Sequence, residues 1–321
     1  MHKEKVSIVN KIGRILARYG IFLVFLILVI IASLISPVFL SLQNITNVIR
    51  QSSIVIIAAC AETLLLIAGM FDLSAGSAMA LAGVIAVDVS IRTGSVLLGV
   101  FLAIVIGAAV GFTNGTIIAK FNIPPFIVTL AMLNVARGLV LMYTGGYPII
   151  NVGKFAAIGQ GKLWIVPYPI IIMIAIVGLS WLILNRLKFG RYLYAIGGNE
   201  DAAIASGVQT TKIKILVFII AGGLIGLSGA VLMSRLNSGL PNAAVGYEFD
   251  AITAVIIGGT SLSGGVGTIA GTVAGALIIG ILNNILNLMN VSSYLQLVIK
   301  GAIIVLAVLI DVRTKTARMK K

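Results

Sequence analysis

The chain is poor in the residues that most soluble chemistry depends on. It holds one cysteine, Cys60, and one histidine, His2, in 321 residues. A single thiol cannot build a disulfide framework or a cysteine zinc site, and a lone terminal imidazole leaves histidine catalysis little to work with. Charge is equally scarce: Asp, Glu, Lys and Arg make up 10% of the chain, against about a quarter in soluble domains. The glycines follow no three-residue period, so a collagen-like chain is excluded. Acids number nine against 23 bases, yet no basic run is interleaved with aromatics as a single-strand nucleic-acid groove requires.

What is present is apolar. Hydrophobic residues make up 60% of the chain and the mean hydropathy is +1.15, which excludes both disorder and an ordinary cytosolic enzyme. A spanning helix needs roughly 20 apolar residues. Residues 19–40 supply the first, longer than the roughly 7–15-residue core of a cleaved signal peptide. Further runs at 45–68, 76–92, 94–119, 125–144, 167–185, 213–235, 248–260, 266–288 and 294–311 predict an all-α polytopic membrane protein of about ten transmembrane helices. The run at 248–260 is short, as a half-helix or re-entrant piece would be. These runs are apolar on every face, unlike barrel strands.

Charge placement orients the chain. Lys3, Lys5, Lys11, Arg14 and Arg18 precede the first run, Lys120 follows the fourth, and Arg186, Lys188, Arg191, Lys212 and Lys214 flank a central polar segment. Arg313, Lys315, Arg318, Lys320 and Lys321 close the chain. These are most of the 23 bases, and the positive-inside pattern puts both termini on the cytoplasmic side of the membrane. The expected organisation is a cytoplasmic segment 1–18, a transmembrane domain 19–311 with a cytoplasmic loop at 186–212, and a tail 312–321. Gly107, Gly111 and Gly115, then Gly222, Gly226 and Ala230, then Gly267, Gly271 and Gly275 recur at four-residue spacing, which lets helix backbones approach.

Two nucleotide motifs fail on context. Residues 265–270 match a GxGxxA pattern but open a membrane span instead of following a soluble strand. Residues 262–265 spell LSGG, but no GxxxxGK[ST] loop occurs, so the chain has no ATP site of its own. No paired-acid, His or Cys constellation supports catalysis, a metal or a cofactor. The polar segment 186–214 is too long for a tight turn. Asn199 is placed to cap a short helix, with Glu200 and Asp201 in its first turn, helix-forming Ala202 and Ala203, and Gly207 to end it.

Four strings then carry a resemblance: GMFDLSAGS (69–77), PPFIVTLAMLNVARG (124–138), GRYLYAIGGNEDAAIASGV (190–208) and YEFDAITAVIIGGTSLSGGVGTIAG (247–271). Together they resemble the permease subunits of ATP-binding cassette importers for ribose and related sugars, over nearly the whole chain. The resemblance implies that Gly197, Gly198, Asn199, Glu200, Asp201, Ala202, Ala203 and Gly207 form the loop that docks on a separate ATPase subunit. It further implies an extracytoplasmic sugar-binding protein that faces the loops near 145–166 and 236–247, and a second permease copy as a homodimer. The family's Ile-x-Leu-Pro continuation is absent after Gly207, and Met70-Phe71 stand before Asp72 where the family has a single isoleucine.

Ionisable groups inside spans are costly, so Glu62, Arg137 and Lys300 each call for a reason, as do Asp72, Asp88 and Asp250 near span ends. Asp72, Asn114, Asn134, Arg137, Asn283 and Asn284 are the candidates for lining a path past which sugar hydroxyls move. A contact between Glu62 and Arg137 is disfavoured, because their depths differ by about two helical turns at a rise of about 1.5 Å per residue. Import of branched-chain amino acids or nucleosides by the same architecture, or a stand-alone carrier, remains an alternative.

Overall fold

The computed structural model describes residues 23–319, with side chains to residue 309. The basic segment 1–18, the first residues of the opening span, Lys320 and Lys321 lie outside the described residues, as do the side chains of Arg313, Lys315 and Arg318.

Helices follow one another with short breaks: α1 (Leu23–Ile35), α2 (Leu42–Ile67), α3 (Ala75–Thr93), α4 (Val96–Phe121) and α5 (Pro125–Thr144). After α5 come a one-turn helix α6 (Ala156–Gln160) and a small hairpin of β1 (Lys162–Leu163) and β2 (Val166–Pro167), in which Lys162 pairs with Pro167 and Leu163 with Val166. Then come α7 (Tyr168–Arg186), α8 (Lys188–Gly198), α9 (Glu200–Ala205), α10 (Thr210–Leu236), α11 (Tyr247–Ile257), α12 (Ile269–Leu288) and α13 (Ser293–Met319). Local chemistry sets these ends. The Ser41, Ser95 and Thr268 hydroxyls accept the amides of Asn44, Leu98 and Gly271, and proline opens α5 and lies in the first turn of α7.

Among the described residues, seven helices are long and apolar enough to cross a membrane: α2, α3, α4, α5, α7, α10 and α12. They form two layers. The apolar windows of α2, α3, α10 and α12 are 72–83% buried, whereas those of α4, α5 and α7 are 22% buried. The first group is therefore the centre, and the second turns Phe101, Phe112, Phe126, Ile127, Ile174 and Leu182 outward. Cys60 sits on the inner helix α2 and is fully buried. α1 and α13 show shorter apolar stretches, Leu23–Ile35 and Ser293–Leu309.

The glycine stripes are where inner and outer layers meet. Gly107 and Gly111 on α4 face Gly222 and Gly226 on α10, backbone against backbone. Gly271 and Gly275 on α12 meet the α11 end around Ala254 and Gly258, while Gly267 falls just before α12. Elsewhere the Tyr143 hydroxyl donates to Asp88, which also accepts Arg92 Nε at 2.8 Å, joining α5 to the end of α3.

Two stretches depart from simple spans. The 248–260 run becomes α11, an 11-residue helix, followed by a non-helical segment through Thr268. Between α2 and α3 the chain also turns back on itself. The Met70 amide donates to the Leu65 carbonyl, and the Asp72 amide to Glu62 Oε2 at 3.2 Å. The approach to α3 thus reaches back to the side chain of Glu62, five residues before the end of α2. The similar strings Leu73–Gly76 and Leu262–Gly265 both lie at these breaks.

Candidate functional site

The two breaks bring polar groups into the apolar interior. Around the first turn of α3, Asp72 Oδ1 accepts the Ser74 amide at 2.8 Å and the Ser74 hydroxyl at 2.5 Å. From α4, Asn114 Nδ2 donates to Ser74 Oγ at 3.1 Å and reaches Asp72 Oδ1 at 3.5 Å. Glu248, in the first turn of α11, is packed so tightly on Gly76 that a Cβ there would stand 3.3 Å from its carboxyl carbon and overlap an oxygen. Glu62, Asp72, Asn114 and Glu248 are all at most 5% exposed.

This cluster is rich in acceptors. Among the described residues, Glu62 Oε1, Asn114 Oδ1 and Glu248 Oε2 have no hydrogen-bond partner. Buried carboxyl oxygens without donors are expensive, so the arrangement favours anything that brings hydroxyl or N–H donors to it. The nearest strong donor is Arg137 on α5, close enough to Glu248 to interact electrostatically. Its Nη1 is committed to the carbonyls of Pro241 and Ala243, in the non-helical approach to α11, and the Ala243 bond is 3.0 Å. Arg137 does not bond Glu62, as their depths suggest.

The other sequence candidates lie apart. Asn134 is exposed on α5 and donates to Leu130 of its own helix. Asn283 is buried beside Asp250, which pairs with Lys300 Nζ at 2.8 Å and so joins α11 to α13. Asn284 exchanges hydrogen bonds of 3.0 and 2.9 Å with Asn44. That pair borders a cavity of about 640 Å³ that Arg50, Gln51, Lys162 and Arg235 also line. Glu248, Ser74 and Gly76 were not singled out by sequence. Glu248 stands two residues from Asp250 in the same quoted string, and its acidity at a helix start was the available signal.

At the α8–α9 end, the capped helix is present. Asn199 Oδ1 accepts the Ala202 amide at 2.9 Å, and Gly207 turns the chain at φ +83° after α9. Glu200 pairs with Lys214 of α10, and Ala203 faces inward. Asp201, Ala202, Ile204 and Ala205 are exposed together on a six-residue helix. Gly198 is exposed, and Gly197 is pressed against the Ile67 carbonyl. α8, a helix in the segment expected to be loop, buries Leu193 and Ile196. The Tyr194 hydroxyl donates to the Gly267 carbonyl at 2.8 Å, and burial pushes its phenol above the usual tyrosine range, so the donor keeps its proton.

Comparison with known proteins agrees with this architecture. No solved structure matches the chain. The chain is 43% identical over 306 residues to the ribose import permease protein RbsC of Haemophilus influenzae, covering 94% of this chain and 95% of that one. Against RbsC of Bacillus subtilis the identity is 45% over 306 residues, with the same coverage of 94% and 95%. Against the L-arabinose transport system permease protein AraH of Escherichia coli K12 it is 38% over 300 residues, covering 93% and 92%. The profile described as branched-chain amino acid transport system / permease component matches residues 44–308, and the chain belongs to that family of transport permeases.

Proposed function

We propose that the chain is the membrane-spanning subunit of an ATP-binding cassette importer in a bacterial inner membrane, moving ribose or a related monosaccharide into the cytoplasm. The observation that carries this reading is near-full-length similarity to ribose import permeases at 43% and 45% identity. The arabinose permease relative, at 38%, keeps the substrate class among pentoses.

In this reading residues 19–311 cross the membrane ten times and both termini are cytoplasmic. α11 and the segment after it together make one crossing. One contact supports the orientation: Gly115, near the end of α4, packs on Ile215 at the start of α10, so Lys120 shares an end with the basic α8–α9 region. The chain hydrolyses nothing; a separate ATPase subunit docks on Asp201, Ala202, Ile204 and Ala205 within the 186–212 loop. The opposite end, with the loops near 145–166 and 236–247, receives an extracytoplasmic sugar-binding protein.

A monosaccharide presents a ring of hydroxyl donors, the complement of the acceptor-rich cluster at Glu62, Asp72, Asn114 and Glu248. Arg137 adds a donor for ring or hydroxyl oxygens. Asn283 and Asn284 stand on α12 toward the binding-protein end. Asn134, exposed on α5, joins the path when a second copy of the chain covers that face in the homodimer. Alternating access follows when α3 and α11, whose first turns meet, part to open the cluster to one side and then the other.

The test is uptake by the reconstituted complex of Asp201→Lys with Ile204→Glu. The expected result is loss of both ribose uptake and ATPase co-purification, with membrane insertion intact. Normal ribose uptake in this variant would refute the docking assignment, and uptake of leucine or adenosine in preference to pentoses by the unmodified complex would refute the substrate class.

A further inference from the structure

The segment that docks the ATPase and the two breaks that hold the polar cluster meet at a single point. Gly197, in the last turn of α8, lies against the end of α2 and the start of the 264–267 turn. A Cβ there would stand 2.6 Å from the Gly265 amide nitrogen and 3.0 Å from the Ile67 carbonyl carbon. A Cβ on Gly264 would meet Gly197 Cα at 2.7 Å and Gly69 Cα at 3.0 Å. The Gly265 amide donates to the Ile67 carbonyl at 2.9 Å. Beside this contact the Tyr194 hydroxyl holds the Gly267 carbonyl. Gly264 and Gly265, at φ +84° and +74°, take a conformation that side chains other than glycine rarely adopt.

We infer that Gly197 and Tyr194 are positioning residues that yoke α8 to both membrane breaks at once, so that a displacement of α8 is delivered to the polar cluster through backbone contact. The inference rests on the docking reading above. Three segments converge with no side chain between their backbones, so no soft rotamer is available to absorb a shift. From this point the 68–74 stretch runs to Asp72, whose amide bonds Glu62, and then to Ser74 at the head of α3. From the other side, 258–266 leads back along the length of α11 to Glu248. α8 therefore touches both the approach to α3, which carries Asp72, and the segment after α11, whose first turn carries Glu248. A loop merely resting on the bundle would not need glycine at each approach, nor a tyrosine hydroxyl spent on a carbonyl of the break.

The yoke predicts a specific failure: docking and hydrolysis persist while transport per ATP falls. The experiment reconstitutes the full complex in liposomes and measures ribose uptake and ATP hydrolysis together. Tyr194→Phe keeps the ring and removes the tie, and the ATP consumed per sugar should rise about fivefold, the worth of one neutral hydrogen bond. Gly197→Ala pries α8 from the contact and should raise it by more than about tenfold, the effect of overpacking backbone. In both variants the ATPase should still co-purify, because the exposed face of α9 is untouched. A wild-type ratio in Tyr194→Phe with the complex assembled overturns the inference, and this holds even where Gly197→Ala fails to insert. The docking reading fails differently, by retained ATPase binding in the Asp201→Lys, Ile204→Glu variant.

Discussion

Replacing Gly222 by alanine should loosen the seam between α4 and α10, and its size can be worked from the contact. A Cβ on Gly222 would stand 2.9 Å from the Gly107 carbonyl carbon and 3.1 Å from Gly111 Cα, where ordinary contact begins at 3.4 Å. Both obstacles are backbone, and the Gly107 carbonyl oxygen stands nearer still, so the helices themselves must part by more than about half an ångström. A gap of that order forfeits about a quarter or more of the dispersion attraction along the shared face. Overpacking of this kind costs about 1–3 kcal/mol, and alanine's better helix propensity returns at most about 1 kcal/mol. The net expectation is a loss of about 1–2 kcal/mol. Reversible unfolding in mixed micelles measures it, with Gly138→Ala and Gly178→Ala as references, since nothing lies within 4 Å of a Cβ at either site. The double variant Gly107→Ala, Gly222→Ala should cost less than the sum, because the first substitution has already opened the seam for the second. Gly222→Ala unfolding level with Gly138→Ala would refute the reasoning.

Lys300→Met strands Asp250, whose side chain is 10% exposed, and should destabilise by about 3–5 kcal/mol, less whatever solvent reaching the 29%-exposed lysine recovers; the same micelle unfolding reads it, and Asp250→Asn with Lys300→Met should restore much of the loss. Gly76→Ala should push Glu248 off the first turn of α3 and lower ribose uptake by about tenfold, the kinetic equivalent of about 1.4 kcal/mol of overpacking, while expression is unchanged.

Much of the fold was legible because its signals are local. Pro124 and Pro125 mark the start of α5, Asn199 caps α9 and Gly207 ends it, and the apolar runs coincide with α2, α4, α5, α7, α10 and α12 within a few residues. What was hidden depends on pairing across the chain. The spacing of Gly107 and Gly111 announces a close approach without saying that Gly222 and Gly226 receive it. α8 reads as basic loop because its buried residues, Leu193 and Ile196, are few among Lys188, Arg191 and two tyrosines. At the site, Asn114 was visible as a polar residue inside an apolar run and Asp72 as an acid at the edge of one. Glu248 was not, because its burial arises only when the head of α11 is laid on Gly76, 172 positions earlier in the chain.

The position of Cys60 has a practical consequence. Its sulfur sits inside α2 at the centre of the bundle, fully buried, so a water-soluble maleimide in the intact protein finds nothing to modify. The native chain is thus already a blank for thiol labelling. One cysteine placed at the 83%-exposed Leu97, at the start of α4, would carry the sole spin label of each copy. In the proposed homodimer, two such labels would report the separation of the copies during turnover, with no prior removal of native thiols to disturb the inner helices.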